Sequence, residues 1–242
     1  MIGMDTQGFI LKSKEEFKPE EFNYELSDKN MDIGDLLNKL NIKPYKKINI
    51  VLKEGVYAWN THYIMPKKSY ISLKGEKYQD GGTKNIVTII MNKELNDEMI
   101  NNVTYSKLAK LSITQDSTAE IIGIDFIEQI NKTKNIHPHM KGIFQLDGDN
   151  SRLYFAQTQT TISNSPFIHV QGWTLARIIF GYSHFYKNIK SKESKILILS
   201  TEKGWGWGGS KAIVSLPSNY YNPSDDKNCY FDKENKNIEY IL

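Results

Sequence analysis

Residues 48–90 hold the feature that most limits how this chain folds, a succession of short apolar runs with no room for a long helix. The runs at 48–52, 70–74 and 86–91 are strand-length and rich in β-branched residues, with Gly55, Pro66, Gly75 and Asn85 around them. These punctuating residues stop a strand and turn the chain. Glycine reaches left-handed backbone angles, and proline lacks the N–H that a sheet ladder needs. The cadence of strand, glycine corner and strand predicts a chain wound in stacked coils.

The rhythm continues with strand candidates at 110–114, 121–127, 142–146, 152–155, 167–170, 175–180, 195–199 and 212–216. So many short strands separated by turn residues leave a sandwich, a barrel or a solenoid. An internal echo favours the solenoid. Ile143-Phe144-Gln145-Leu146, then Gly148, then Arg152-Leu153-Tyr154-Phe155 returns as Phe167-Ile168-His169-Val170, then Gly172, then Arg177-Ile178-Ile179-Phe180. A weaker third copy runs from Ile196 through Gly208-Gly209 to Val214. Coils with loops of uneven length fit an irregular single-stranded parallel β-helix better than an antiparallel β-sandwich, which stays the alternative.

The first part of the chain reads differently. Residues 12–25 are charged, with Phe17 and Phe22 as the apolar anchors, and predict an extended arm. Residues 32–40 predict a helix: Asp32 caps it, Asp35 stands in its electropositive first turn, and Ile33, Leu36, Leu37 and Leu40 share an apolar face. Pro44 is the expected stop. A helix placed there would cover the open end of a coil stack, which otherwise exposes apolar surface. The expected organisation is an arm and capping helix over 1–46, the β-helix over 47–216 and an irregular tail over 217–242.

The phrases Asn49-Ile50-Val51-Leu52-Lys53-Glu54-Gly55-Val56-Tyr57, Ile64-Met65-Pro66 and Tyr70-Ile71-Ser72-Leu73-Lys74-Gly75 resemble the first coil of the pectin-lyase-like right-handed β-helices. Ile122-Gly123-Ile124-Asp125-Phe126 resembles a coil phrase common in that superfamily. The resemblance covers roughly residues 32 to 216. It implies right-handed coils and a carbohydrate theme, since the superfamily includes pectate lyases, polygalacturonases, pectin methylesterases and bacteriophage tailspikes. A helix before the first coil, without a visible signal peptide, most resembles the phage-associated branch. The catalytic phrases of those enzymes are missing. The polygalacturonase pair of acidic motifs has no counterpart in the coil region, and Asp225-Asp226 falls in the polar tail. Ile178-Ile179-Phe180-Gly181 copies an esterase phrase without its aspartate.

Composition narrows the remaining choices. The net charge is +3, lysines are interspersed with acids, and Arg152 and Arg177 are the two arginines. That distribution argues against a nucleic-acid partner, which calls for clustered basic side chains. No apolar run approaches the roughly 20 residues of a membrane span. Cys229 is a single cysteine, so neither an internal disulfide nor a multi-cysteine metal site is expected. Localisation is expected to be extracellular or virion-associated, with the cytoplasm as the alternative.

Candidate chemistry rests on two groups of side chains. Asp147, Asp149, Asp125 and Glu128 are the acids for a lyase or hydrolase, and the lyase resemblance makes Arg177 a candidate base. No cofactor is expected; calcium at Asp147 and Asp149 is the alternative that the lyase resemblance implies, while Asp147-Gly148-Asp149-Asn150 read alone is a tight turn. The second group is aromatic. Trp173, Tyr182 and His184 lie near Phe185 and Tyr186, and Trp205 and Trp207 alternate with glycine. Alternation with glycine puts both indoles on one face, which suits stacking on sugar rings; a homotrimer interface or loop filling are the other uses. His137 and His139 are two residues apart, but no third metal ligand is near in sequence. His169 and His184 fit packed or surface roles. These features predict a glycan-recognising or structural protein of a phage-like or cell-surface apparatus, with a polysaccharide-degrading enzyme as the alternative.

Overall fold

The computed structural model describes residues 20–76, 85–91, 109–128, 143–162, 168–170, 175–181, 184–187, 198–200, 211–215 and 238–241. β1 (Glu20–Leu26) leads through α1 (Ile33–Leu40) into a first round of β2 (Lys46–Leu52), β3 (Gly55–Trp59) and β4 (Tyr63–Ile64). The second round is β5 (Tyr70–Gly75), β6 (Val87–Met91) and β7 (Leu111–Ile113). The third is β8 (Thr118–Ile122), β9 (Asp125–Glu128) and β10 (Phe144–Leu146), and the fourth is β11 (Ser151–Ala156), β12 (Gln159–Ile162) and β13 (Ile168–Val170). Then come β14 (Leu175–Gly181), β15 (His184–Lys187) and β16 (Ile198–Ser200), followed by β17 (Lys211–Ser215) and β18 (Ile238–Ile241).

Each strand pairs with its counterpart one round later, giving one eight-stranded and two five-stranded sheets. Among the described residues every strand pairing is parallel, which sets aside the antiparallel sandwich. The protein is β-rich, with one helix among the described residues. The internal echo is a matter of register: Phe144 pairs with Ile168, Arg152 with Arg177 and Phe155 with Phe180.

The corners explain why the rounds superpose. Tyr45, Lys68, Asp116 and Asn150 all have left-handed φ, between 56° and 63°. Their N–H groups donate to Lys68 O, Gln115 O, Asp149 O and Leu175 O, respectively, in the next round. A serine follows three of these corners, and Ser69, Ser117 and Ser151 are all buried. Ser117 Oγ accepts Ser69 N–H at 3.2 Å and donates to Pro66 O at 2.8 Å, tying two rounds together. At the opposite end of the same strands, Gly75 packs so close to Gly123 that a Cβ would run into the Gly123 carbonyl.

Alternation along the strands turns Ile48, Ile50, Leu52, Ile71, Leu73, Ala119, Ile121, Leu153 and Phe155 inward. All three sheets meet at Phe144, whose ring makes edge contacts with Trp59, Phe126 and Phe155 at centroid distances of 5.8, 5.7 and 5.5 Å. Edge-to-face rings add a directional term to the burial that holds such a core.

α1 packs against β3 and β4, burying Ile33 and Leu37. Asp32 caps it by accepting Gly34 N–H and Asp35 N–H. The helix ends at Leu40, where the expected helix ends, with Asn41 left-handed at φ 46° ahead of Pro44. Other expectations need correction. Residues 20–26 of the expected arm form a paired strand, and 238–241 of the expected irregular tail form another. Residues 121–127, expected as one strand, belong to two, because Gly123 turns at φ 66°. No helix among the described residues is long and apolar enough to cross a membrane.

Candidate functional site

Two lateral rows of side chains cross the outer face of the eight-stranded sheet. In register, Lys47, Tyr70, Thr118, Arg152 and Arg177 make one row, and Asn49, Ser72, Glu120, Tyr154 and Ile179 make the next. Residues two apart on a strand point the same way, so the rows share one face. Their spacing is fixed by backbone ladders rather than by a loop.

Glu120 is the centre of this patch. Its side chain is 19% exposed, and Oε2 accepts the Ser72 hydroxyl at 2.7 Å, with Lys74 Nζ 3.9 Å away. Burial of the Tyr70 phenol, followed by the negative charge of nearby Glu120, pushes its pKa far up. Burial also raises the Tyr154 pKa, again helped by Glu120. Both phenols are therefore neutral donors at ordinary pH. Lys47 Nζ sits 5.3 Å from the centroid of the Tyr70 ring and 2.7 Å from Glu21.

Beside this group stand the two arginines, directly opposite each other on β11 and β14. The Arg152 guanidinium donates to Asn150 Oδ1 at 2.9 Å, and Asn150 Nδ2 donates to Asp116 Oδ1 at 2.8 Å. Burial and then the charge of Arg177 pull the Arg152 pKa down, while Asp116 raises it. A guanidinium stays protonated in proteins. The face thus presents two half-buried phenols, a carboxylate and two guanidiniums, of which Arg152 is held by Asn150. It can donate and accept hydrogen bonds and offer flat rings. Glycoside hydrolysis by the usual route uses two carboxyl groups roughly 5–9.5 Å apart across the scissile bond. The register neighbours of Glu120 are Ser72 and Tyr154, neither of them an acid.

No family model matches the chain, and no curated protein or solved structure matches it.

The residues expected from sequence are dispersed. Asp147 and Asp149 lie in the corner between β10 and β11, where Ser151 N–H closes a turn onto Gly148 O at 3.1 Å. Asp149 Oδ1 accepts Leu175 N–H at 3.0 Å, so this carboxylate anchors the start of the next strand. Asp125 is on a different sheet, its Oδ1 accepting Asn85 Nδ2 at 2.6 Å. In register Asp125 is followed by Gln159 and then His184, which puts two expected residues in one row. Glu128 pairs with Met91 on that same sheet. Of the expected acids and base, Arg177 alone belongs to the outer rows described above. His169 is a buried neighbour of Gln145, in a polar row where His62 Nε2 and Ser112 Oγ are 2.8 Å apart. Trp173, Tyr182, Trp205, Trp207, His137 and His139 lie outside the described residues. Among the described residues no three His, Cys, Asp or Glu side chains converge as a metal site.

Sequence reasoning passed over Tyr70, Ser72, Glu120, Arg152 and Tyr154 as a group. The available signal was alternation: Tyr70-x-Ser72, Thr118-x-Glu120 and Arg152-x-Tyr154 each follow a buried serine where the turn meets the strand.

Proposed function

We propose that this protein is a right-handed parallel β-helix, closed at its first coil by α1, that recognises a saccharide on the outer face of its eight-stranded sheet without turning it over. The three-strand rotation and the parallel pairing one round apart support the solenoid. The strong right-handed preference of parallel crossovers supports the hand. In this reading the protein is a glycan-binding or structural component of a phage-like or cell-surface apparatus. The resemblance of its first coil to the pectin-lyase-like superfamily is the support for that setting.

One observation carries the binding reading: Glu120, which accepts the Ser72 hydroxyl at 2.7 Å, stands directly beside Tyr154 in register, with Tyr70 on the strand to its other side. A sugar ring offers a flat face of C–H groups and a rim of hydroxyls. Phenol rings and a charged acceptor are suited to those two parts, and fixing them in advance lowers the entropic cost of binding.

Retention without cleavage follows from the single central acid, because acid–base hydrolysis needs a second proton-handling group placed for the reaction. The test is to incubate any bound polysaccharide with the protein and assay new reducing or unsaturated ends. None should form. Product that disappears in Glu120→Gln would instead make this face an active site.

A further inference from the structure

The geometry points to an oxyanion subsite between Arg152 and Arg177, built to hold a phosphate or sulfate ester carried by the saccharide. It rests on the saccharide reading of this face and names the substituent that the face selects.

Like charges directly opposite on neighbouring strands repel each other. Here Arg152 and Arg177 are held in that relation by the ladder between β11 and β14, with strands about 4.8 Å apart. Arg152 is also aimed from below. Asp116 holds Asn150, Asn150 holds the guanidinium, and Asn150 itself is fixed in a left-handed corner that is tied to Leu175 O. Of the charges acting on Arg152, one is the cation Arg177 and one is the anion Asp116. Asp149, one of the acids of the corner between β10 and β11, directs its Oδ1 to Leu175 N–H.

The number of oxygens separates the ligand classes. A carboxylate has two coplanar oxygens, and a single guanidinium fork can engage both. A phosphate or sulfate group directs at least three oxygens out of one plane, so it can take a fork from one arginine and still face the other. Thr118, next to Arg152 in the row, adds a hydroxyl on the near side, and Tyr154 stands two residues along the same strand. A sugar ring near Tyr154 would thereby place a charged substituent over the arginine pair.

The experiment is calorimetric titration of the full chain, in low-salt buffer free of other oxyanions, with inorganic phosphate, sulfate and acetate in separate arms. Phosphate or sulfate should bind, and acetate should bind about tenfold more weakly. Stronger binding of one tetrahedral anion identifies the ester. Arg152→Gln and Arg177→Gln should each reduce that binding about tenfold, as loss of a charge-assisted bidentate contact does. Lys39→Gln with Lys43→Gln, which removes two charges on and beside α1, should leave it unchanged. Should a glutamine variant fold poorly, Arg152→Lys with Arg177→Lys keeps the charges and loses the forks, and it should still bind markedly less. The proposal is overturned by a wild-type protein that binds no tetrahedral anion, by acetate binding as well as phosphate, or by arginine variants matching the lysine control. No saccharide is used, so tight phosphate binding without any glycan ligand would sink the saccharide reading alone. Glycan binding without oxyanion binding would sink this subsite alone.

Discussion

Asp32 Oδ2 accepts the backbone N–H of Asn60 at 2.5 Å, joining the cap of α1 to the turn that follows β3. The other oxygen of the same carboxylate takes Gly34, Asp35 and Thr61 N–H groups at 2.9, 3.2 and 3.1 Å. One side chain therefore starts the helix and fastens it to the first round of strands. A cap is worth about 0.5–2 kcal/mol and a charged hydrogen bond about 1.5–3 kcal/mol, so Asp32→Ala should cost roughly 2–4 kcal/mol in urea unfolding. A loss under about 0.5 kcal/mol, the level of an ordinary surface change, would show that α1 is held by its apolar face alone.

Gly34 approaches the same turn. A Cβ at this position would overlap the Thr61 carbonyl oxygen. Alanine has the better helix propensity, so on an unpacked helix Gly34→Ala would stabilise. Here it should lower the melting temperature and leave the rest of the fold intact by circular dichroism.

Phe144 contacts an aromatic ring from each of the other two sheets. It is fully buried. Phe144→Ala should cost about 3–5 kcal/mol, the usual range for a buried aromatic truncated to alanine. Phe144→Leu, which refills part of the volume, should recover a good share of that loss in the same unfolding experiment.

Ser117 bridges the corners of two rounds, accepting Ser69 N–H and donating to Pro66 O. Ser117→Ala leaves a buried N–H without that acceptor, for a cost of about 1–3 kcal/mol. Hydrogen exchange at Ser69 should quicken in the variant; unchanged exchange would mean that the backbone ladder alone holds the corner.

Burial raises the phenol pKa values of Tyr57, Tyr63, Tyr70 and Tyr154, with the charge of Glu120 adding to the shift at the last two. In the unfolded chain these phenols ionise near pH 10. Above that pH the unfolded state loses protons that the folded state retains, so stability falls as pH rises. Below pH 10 the contribution is fully present. Thermal unfolding followed from pH 8 to 11 should show a flat region and then a steep alkaline decline. The decline should be shallower in Tyr70→Phe.

Much of the strand framework was legible in the sequence because inward positions are apolar every second residue, as in Ile48-x-Ile50-x-Leu52 and Leu153-x-Phe155. The cap at Asp32 was legible because its chemistry is local. The coil repeat was blurred by insertions of unequal length. Ser69 and Ser117 bond to each other although 48 residues separate them, whereas Asp116 and Asn150 are 34 apart. The short phrases Lys68-Ser69-Tyr70, Asp116-Ser117-Thr118 and Asn150-Ser151-Arg152 are equivalent corners, yet they share little beyond the serine. The outer patch was hidden for the same reason. Glu120 and Tyr70 meet only through register, and register depends on pairing between distant segments. Acidic Asp147 and Asp149 drew attention by lying two residues apart, but Asp149 accepts the Leu175 N–H at the start of β14.

Glycan-array binding by the wild-type protein and by Tyr154→Ala tests the central claim most directly. The variant should keep the wild-type melting temperature within a few degrees, since Tyr154 is only half-buried on the outer face. The wild-type protein should bind defined saccharides, and Tyr154→Ala should give at least a tenfold weaker signal, as loss of a ring contact and a hydroxyl donor implies. Wild-type protein that binds no saccharide, or a variant that binds the same saccharides equally well, would contradict the claim.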